Sequence, residues 1–332
     1  MVAARRVVLR ARPQGLPKTS DFEVETIELG DPGAGEVLLE VDAISIDAFI
    51  RTTLDGDGIH GTVGLGAPVT ALGVARVLAS GDESLAADDW VFGPTLAQSH
   101  ALMPAAMFQR IDTSEVPASS YLGVLGMTTG LTAYFGLLEV AGVKEGDTVV
   151  VSGAAGAVGS VACQLARIAG GRVIGIAGGP EKVRYLTDTL GAGAGIDYKH
   201  EDVAARLDEL APDGIDVYFD NVGGELLDTV LDRLAMGARV SICGAISQYE
   251  HLDDVRGPRL YLRLAERNSC MCGFTIDRFA ERFGEAVPKL IEWMRAGDLV
   301  LPEHVEQGLE RFPDALITLF SGGHIGKLLV KP

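Results

Sequence analysis

The stretch DTVVVSGAAGAVGSVACQLARIAGGRVIGIAGGPEK, residues 147–182, decides the fold of the second half of the chain. Its apolar run at 148–152 predicts a strand, its glycines at 153, 156 and 159 form a loop, and a periodic helix and a second strand follow. Glycines allow backbone N–H groups to approach a pyrophosphate at the positive end of the helix. The stretch therefore indicates a dinucleotide site, with close packing of a strand and a helix as the alternative.

The same alternation of strand and helix continues beyond residue 182. Apolar runs recur at 172–178, 214–220 and 239–244, with helical patterns between them. This order predicts an α/β doubly wound parallel sheet covered on both faces. Before about residue 118 the pattern is short, alternating and interrupted by glycine and proline, which predicts a small all-β barrel or sandwich.

The second strand of the nucleotide unit favours NADPH over NADH. A site for NADH would carry a carboxylate at the end of this strand, where Ala177, Gly178 and Gly179 stand instead. Lys182 follows within reach of a 2′-phosphate, and Tyr198 could close the same pocket. The alternative for Lys182 is an ordinary solvated lysine of a helix.

Composition excludes several classes of partner and suggests a compartment. The net charge of −18 argues against nucleic acid and anionic lipid. The first fifteen residues lack the apolar core of a signal peptide, and the charge-free run 117–138 is rich in Gly, Ser and Thr, so we expect it to be buried in protein. The four cysteines form no framework, which favours the cytoplasm.

Nearly the whole chain resembles the zinc-independent medium-chain dehydrogenase/reductase superfamily. Within that superfamily it is most similar to the NADPH-dependent 2-alkenal and enone reductases, a family that includes prostaglandin and curcumin reductases. The matching stretches include DAFIR (47–51), LGVLGMTTGLTAYFGLLEV (122–140), GIDVYFDNVGGELLDTVL (214–231) and ICGAISQYE (242–250). The resemblance implies a GroES-like substrate domain over 1–120, a Rossmann NADPH-binding domain over 121–296, and a segment 297–332 that returns to the substrate domain. It also implies a homodimer.

Carried over position by position, the resemblance implies a set of cofactor-binding residues. They are Met127, Gly153, Ala154, Ala155, Gly156, Ala157, Val158, Gly178, Lys182, Tyr198, Asn221, Cys243, Gly244, Ala245, Ile246, Phe274, Thr275, Ile276 and His324. On the substrate side it implies Phe49, Arg51 and Tyr261. Arg51 has the alternative role of a charge at the barrel edge.

The chain departs from the family pattern at four of its positions. Gly179 stands where the family usually has serine, and His324 stands where it has asparagine. A substrate-side tyrosine is Glu266 here, although Tyr261 is nearby, and Phe49 replaces another tyrosine. We expect one bond to the 2′-phosphate to be missing and the substrate pocket to differ.

Other catalytic classes lack their residues. No cysteine precedes Cys163, so we expect neither zinc site of the related alcohol dehydrogenases. Cys270 and Cys272 are expected in the core. No Tyr-x-x-x-Lys or Gly-x-Ser-x-Gly occurs, which excludes a short-chain dehydrogenase and a serine hydrolase of that type. We expect surface positions for five of the histidines: His60, His100, His200, His251 and His304.

The expected reaction is the reduction of the C=C bond of an α,β-unsaturated aldehyde or ketone by NADPH. The carbonyl oxygen then needs a hydrogen-bond donor, and Tyr249 is the candidate, with a packing aromatic as the alternative. A quinone reductase is the nearest rival. A structural or regulatory NADPH-binding protein is the rival from another class, since fold does not fix activity.

Overall fold

The computed structural model describes residues 1–56, 60–250 and 254–332. Contacts divide the chain into two units. Unit 1 consists of Met1–Gly123 with Glu303–Pro332, and unit 2 is Val124–Pro302. The C-terminal 30 residues therefore belong to the same unit as the N-terminus.

Strands and helices are numbered along the chain. The strands are β1 (Val2–Leu9), β2 (Phe22–Leu29), β3 (Glu36–Ser45), β4 (Gly73–Ser80), β5 (Trp90–Gly93), β6 (His100–Pro104), β7 (Gln109–Arg110), β8 (Thr148–Ser152), β9 (Arg172–Ala177), β10 (Ala194–Asp197), β11 (Ile215–Asp220), β12 (Leu234–Ile242), β13 (Cys270–Gly273), β14 (Glu303–Gln307) and β15 (Lys327–Lys331). The α-helices are α1 (Phe49–Thr53), α2 (Thr132–Tyr134), α3 (Ala157–Ile168), α4 (Pro180–Arg184), α5 (Val203–Leu210), α6 (Gly224–Leu231), α7 (Leu262–Glu266), α8 (Phe283–Ala296) and α9 (Phe312–Ser321).

Unit 1 is built mainly from antiparallel strands. Its larger sheet has the order β14-β15-β3-β4-β5-β7, and β6 pairs with β3. Strands β1 and β2 form a separate hairpin. The C-terminal strand β15 pairs with β3 through Leu329–Ser45 and Val330–Ile44, which joins the end of the chain to its N-terminal half.

The core of unit 1 is aliphatic and includes one face of α9. Val37, Leu39 and Ile44 are fully buried, as is Phe312 at the start of α9. Each such side chain contributes roughly 1.5–3 kcal/mol by leaving water. The helix ends at Gly322, whose left-handed backbone (φ 67°) serves as the C-cap.

Unit 2 contains a parallel sheet with the order β10-β9-β8-β11-β12-β13. Counted from β8, this is the order 3-2-1-4-5-6 of the dinucleotide-binding fold. The expected α/β class is confirmed: unit 2 has the Rossmann fold and unit 1 the GroES-like fold. The order reverses between β8 and β11, and ligands bind such sheets at the carboxyl ends of these strands.

The helical segments of unit 2 follow the sequence signals. Asp202 accepts hydrogen bonds from Ala204 N and Ala205 N and so caps α5. A continuous helical segment from Met127 to Val140 combines wide π-type turns with α2. In the charge-free run 117–138 most residues are buried, and no helix within the described ranges is long and apolar enough to cross a membrane.

One expectation about packing is wrong. Cys270 and Cys272 are exposed rather than part of the core. They lie on β13, which pairs only with β12 among the described strands and so forms an edge of the sheet. An apolar sequence does not distinguish an edge strand from a central one, and this is why the expectation failed.

Candidate functional site

The site in unit 2 is a row of loops along one edge of the parallel sheet. Because the strands are parallel, the segments that leave their carboxyl ends meet at this edge. Gly153–Val158 follows β8, Gly178 and Lys182 follow β9, and Tyr198 follows β10. Asn221 follows β11, Cys243–Ile246 follows β12, and Phe274–Ile276 follows β13. The structure thus brings most of the expected cofactor-binding residues to one edge.

The glycine loop between β8 and α3 is tightly folded. Gly153 has φ 57°, and its carbonyl oxygen accepts from Gly156 N at 3.0 Å. A Cβ atom at Gly159 would lie 2.3 Å from the Gly153 carbonyl oxygen. The first turn of α3 therefore lies directly against the loop.

Asp220 at the end of β11 organises the neighbouring loops. Its Oδ1 accepts four hydrogen bonds, from Ser152 Oγ, Tyr218 OH, Val222 N and Gly223 N, at 2.8 to 3.0 Å. Its Oδ2 is buried and has no partner in the described part of the chain. The carboxyl group thus ties the ends of β8 and β11 together.

The loop after β12 is fixed to the loop after β11 by the backbone. Cys243 N and Gly244 N both donate to the carbonyl oxygen of Asp220, at 2.9 and 3.1 Å, and Ile246 N donates to that of Asn221 at 3.2 Å. Asn221 in turn donates from Nδ2 to the Ser152 carbonyl oxygen at 2.7 Å. Burial, with the nearby charge of Asp220, raises the pKa of the Cys243 thiol to about 12, so this group stays neutral.

Tyr249 contacts the loop that precedes it. Its phenol oxygen accepts from Ala245 N at 3.2 Å, and within the described ranges its own O–H has no acceptor. Burial raises the pKa of the phenol, while the bond from Ala245 opposes that rise. The side chain therefore packs on the loop and also keeps a proton available for donation, so both of its expected roles are compatible with this position.

Lys182 lies half-buried on α4 next to the end of β9. Burial lowers the pKa of its ammonium group most, followed by repulsion from Lys199. Neither lysine forms an ion pair with any described residue. Two lysines without carboxylate partners fit a phosphate monoester, so this region agrees with the chemistry of NADPH. The sequence reasoning missed Lys199, and also Asp197 and Asp220.

The remaining expected site residues have different surroundings. Tyr261 is exposed at the start of α7, and Glu266 at its end pairs with Arg263. In unit 1, Phe49 stacks edge-on against His60, and His324 is buried.

Arg51 has an internal role in unit 1. Its side chain is buried, its Nε donates to the Gly15 carbonyl oxygen at 3.1 Å, and its guanidinium pairs with Asp55 at 2.7 Å. The arginine therefore ties α1 to the segment around Gly15. Whether it serves as a charge at the barrel edge or as a polar residue of the substrate side, its guanidinium group is buried.

The histidines expected at the surface are exposed or partly exposed where the structure describes them. No group of three or more His, Cys, Asp or Glu side chains among the described residues is arranged to hold a metal ion. His60 and His200 are exposed, and His100 and His304 are intermediate, while His251 lies outside the described residues. The strand order of the parallel sheet and the loops at the carboxyl ends of its strands define a dinucleotide-binding protein.

Comparisons with known proteins agree with this class. A family model described as "Zinc-binding dehydrogenase" matches residues 157–293, and one described as "N-terminal domain of oxidoreductase" matches residues 5–111. YfmJ of Bacillus subtilis (strain 168), provisionally named an NADP-dependent oxidoreductase, is 43% identical over 98% of this chain and 97% of its own. The NADP(+)-dependent 2-alkenal reductase of Nicotiana tabacum is 38% identical over 99% and 97%.

A solved structure extends the similarity to the whole fold. CurA from Vibrio vulnificus in complex with NADPH superposes with a TM-score of 0.91 at 37% identity and covers 98% of both chains. The chain belongs to the medium-chain dehydrogenase/reductase superfamily, in the group of NADP-dependent alkenal and enone reductases. The expected family is thus confirmed.

Proposed function

We propose that this chain is an NADPH-dependent reductase of the C=C bond of α,β-unsaturated aldehydes or ketones. The observation that carries the proposal is the carboxyl edge of the sheet, which combines a glycine loop, two lysines without ion-pair partners in the described residues and a phenol with a proton to donate. These groups suit a pyrophosphate, a phosphate monoester and a carbonyl oxygen, respectively. The relatives named 2-alkenal reductase and curcumin reductase support this reaction class.

When bound, NADPH supplies the hydride for the β-carbon of the substrate. The chain contributes binding, orientation and a donor for the carbonyl oxygen, where negative charge develops during the reaction. We assign the donor to Tyr249. Its raised pKa keeps the phenol protonated near neutral pH, and the bond from Ala245 N holds its oxygen in place.

Each loop has a proposed part in holding the cofactor. The backbone of Gly153–Val158 binds the pyrophosphate, and Lys182 with Tyr198 and Gly178 binds the 2′-phosphate. The nicotinamide side takes a further group of residues: Met127, Asn221, Cys243, Gly244, Ala245, Ile246, Phe274, Thr275, Ile276 and His324. Asp220 supports this arrangement because its hydrogen bonds hold the loops that carry Asn221 and Cys243.

For the substrate we propose Phe49 and Tyr261, with Arg51 acting through its bonds to Gly15 and Asp55. The boundaries we propose are 1–120 for the substrate domain, 121–296 for the NADPH domain and 297–332 for the segment that completes the first. We further propose a homodimer in the cytoplasm, where the free thiols would stay reduced.

Activity without zinc is also part of the proposal. It rests on the absence of cysteine before Cys163, since thiolates are ligands in both zinc sites of the related alcohol dehydrogenases. Metal analysis of the purified active enzyme tests this point. Stoichiometric zinc whose removal abolishes turnover would contradict it.

The decisive test of the function is a panel of acceptors assayed by NADPH oxidation. The panel contains enones, 2-alkenals, quinones and saturated carbonyl compounds, each with NADPH and with NADH. We expect turnover of enones and alkenals with NADPH, and little with saturated carbonyls. Preferential turnover of quinones would favour the rival reductase, and binding of NADPH without any turnover would favour a regulatory protein.

A further inference from the structure

The turn after β10 is locked against the end of β9 by one carboxylate. Oδ1 of Asp197 accepts from Gly179 N at 2.7 Å and from Lys199 N at 3.1 Å, and Oδ2 pairs with His200 Nδ1 at 2.7 Å. Burial raises the pKa of Asp197, but these hydrogen bonds outweigh it and hold the pKa below its usual value. The carboxylate is thus committed to the turn and is not available to a ribose hydroxyl.

This turn brings two side chains over Gly178. A Cβ atom at Gly178 would lie 2.8 Å from Tyr198 Cε1 and 2.9 Å from Lys199 Cε. The Lys199 ammonium is bonded to that Cε atom and therefore lies close to the backbone at the end of β9. Its position depends on the Asp197 turn and not on α4, which carries Lys182.

Lys182 and Lys199 are close enough to affect each other. Repulsion from Lys199 contributes to the lowered pKa of Lys182, after the larger effect of burial, and Glu181 opposes both. No carboxylate of the described chain lies within 4.0 Å of either ammonium group. Two neighbouring ammonium groups repel each other when no anion is bound between them, although the chain, with a net charge of −18, has many carboxylates that could pair with them. A dianionic phosphate would relieve this repulsion.

Gly179 has no side chain that could donate a hydrogen bond to a phosphate. Its backbone has φ 100°, a conformation that a residue with a side chain rarely adopts. Any side chain at this position would therefore be strained. The Lys199 ammonium group, which comes from the turn after β10, can approach a phosphate here without a side chain at position 179.

We infer that Lys199 is a second cationic ligand of the 2′-phosphate and, with Lys182, determines the preference for NADPH over NADH. This inference rests on the proposed cofactor role of the site. The Asp197 turn positions the ammonium group, and Tyr198, 53% exposed, flanks it.

The test compares three single variants that each remove one positive charge from unit 2. They are Lys199→Gln, Lys182→Gln and the control Lys144→Gln, an exposed lysine before β8. Dissociation constants are measured for NADPH, NADH, adenosine 2′,5′-bisphosphate and adenosine 5′-monophosphate, by fluorescence or calorimetry. These binding assays do not depend on turnover.

We expect Lys199→Gln to weaken NADPH and the bisphosphate by about 10-fold or more, as for a lost charge-assisted bond. NADH and the monophosphate should change less than twofold, and so should all ligands in Lys144→Gln. Lys199→Arg should restore most of the loss. The double variant Lys182→Gln/Lys199→Gln should bind NADPH no better than NADH.

The outcomes separate this inference from the proposed cofactor role. If Lys182→Gln is selective for NADPH but Lys199→Gln behaves like Lys144→Gln, Lys199 is a surface charge and the inference is wrong. If Lys199→Gln weakens NADH as much as NADPH, its effect is on the fold of the turn, which also overturns it. If the wild-type protein binds NADH as tightly as NADPH, the proposed cofactor preference itself fails.

Discussion

The substitution Gly159→Ala tests the geometry of the glycine loop. The added Cβ would lie 2.3 Å from the Gly153 carbonyl oxygen and 2.8 Å from Ala154 Cα. Cβ atoms essentially never approach other atoms closer than 3.0 Å, so the loop or α3 must move by 0.7 Å. Both contacts are with backbone atoms, which cannot turn aside as a side chain could.

The expected cost has two parts. Overpacking of this kind lowers the free energy of unfolding by about 1–3 kcal/mol. A shift of the loop also displaces the N–H groups proposed to bind the pyrophosphate, and loss of one charge-assisted bond weakens NADPH by about 10- to 150-fold. Because the pyrophosphate is common to both cofactors, NADH should weaken by a similar factor.

Urea unfolding and fluorescence titration with both cofactors measure these effects, with Gly284→Ala as the matched control. Gly284 lies in α8, has no atom within 4 Å of the position of its Cβ and does not have the left-handed backbone. The control should bind both cofactors normally and be unchanged or at most about 1 kcal/mol more stable. If Gly159→Ala matches this control in both assays, the close approach of α3 to the loop is not real.

Three further substitutions or modifications test other parts of the account. Asp220→Asn should lower the free energy of unfolding by about 2–4 kcal/mol, because four hydrogen bonds lose their charged acceptor. The control Asp213→Asn, at an exposed turn, should have little effect, and equal unfolding curves for the two variants would show that the Asp220 carboxylate is unimportant. Tyr249→Phe should lower kcat about 10-fold or more with little change in NADPH affinity, and an unchanged kcat would make the phenol structural. In titration with a thiol reagent, the exposed Cys270 and Cys272 should react faster than the buried Cys163, because burial raises the pKa of the Cys163 thiol to about 12. Reaction of Cys163 as fast as that of the exposed pair would contradict the packing.

Local signals were sufficient to predict the centre of the fold. The pattern within 147–182 predicts β8, α3 and β9, because a buried parallel strand and an amphipathic helix differ in the period of their apolar residues. The glycine spacing also predicts which loop approaches a phosphate. These features depend on residues that are neighbours in sequence, and they are the ones that the structure reproduces.

Features that depend on distant contacts were not predictable. Lys199 follows β10, and only the pairing of β10 with β9 and the Asp197 bond to Gly179 bring it near Lys182. Asp197 at the end of β10 is visible in the sequence, but its partner Gly179 could not be identified from sequence. In the same way, the edge position of β13, which exposes Cys270 and Cys272, is set by the order of the whole sheet.

The position of the transferred hydride tests the central proposal most directly. The enzyme is supplied with NADPH that carries deuterium at the reactive C4 position and with a simple enone, and the product is examined by NMR and mass spectrometry. The account predicts a saturated carbonyl compound with one deuterium on the β-carbon. An allylic alcohol with deuterium on the former carbonyl carbon would contradict it and would identify a carbonyl reductase instead.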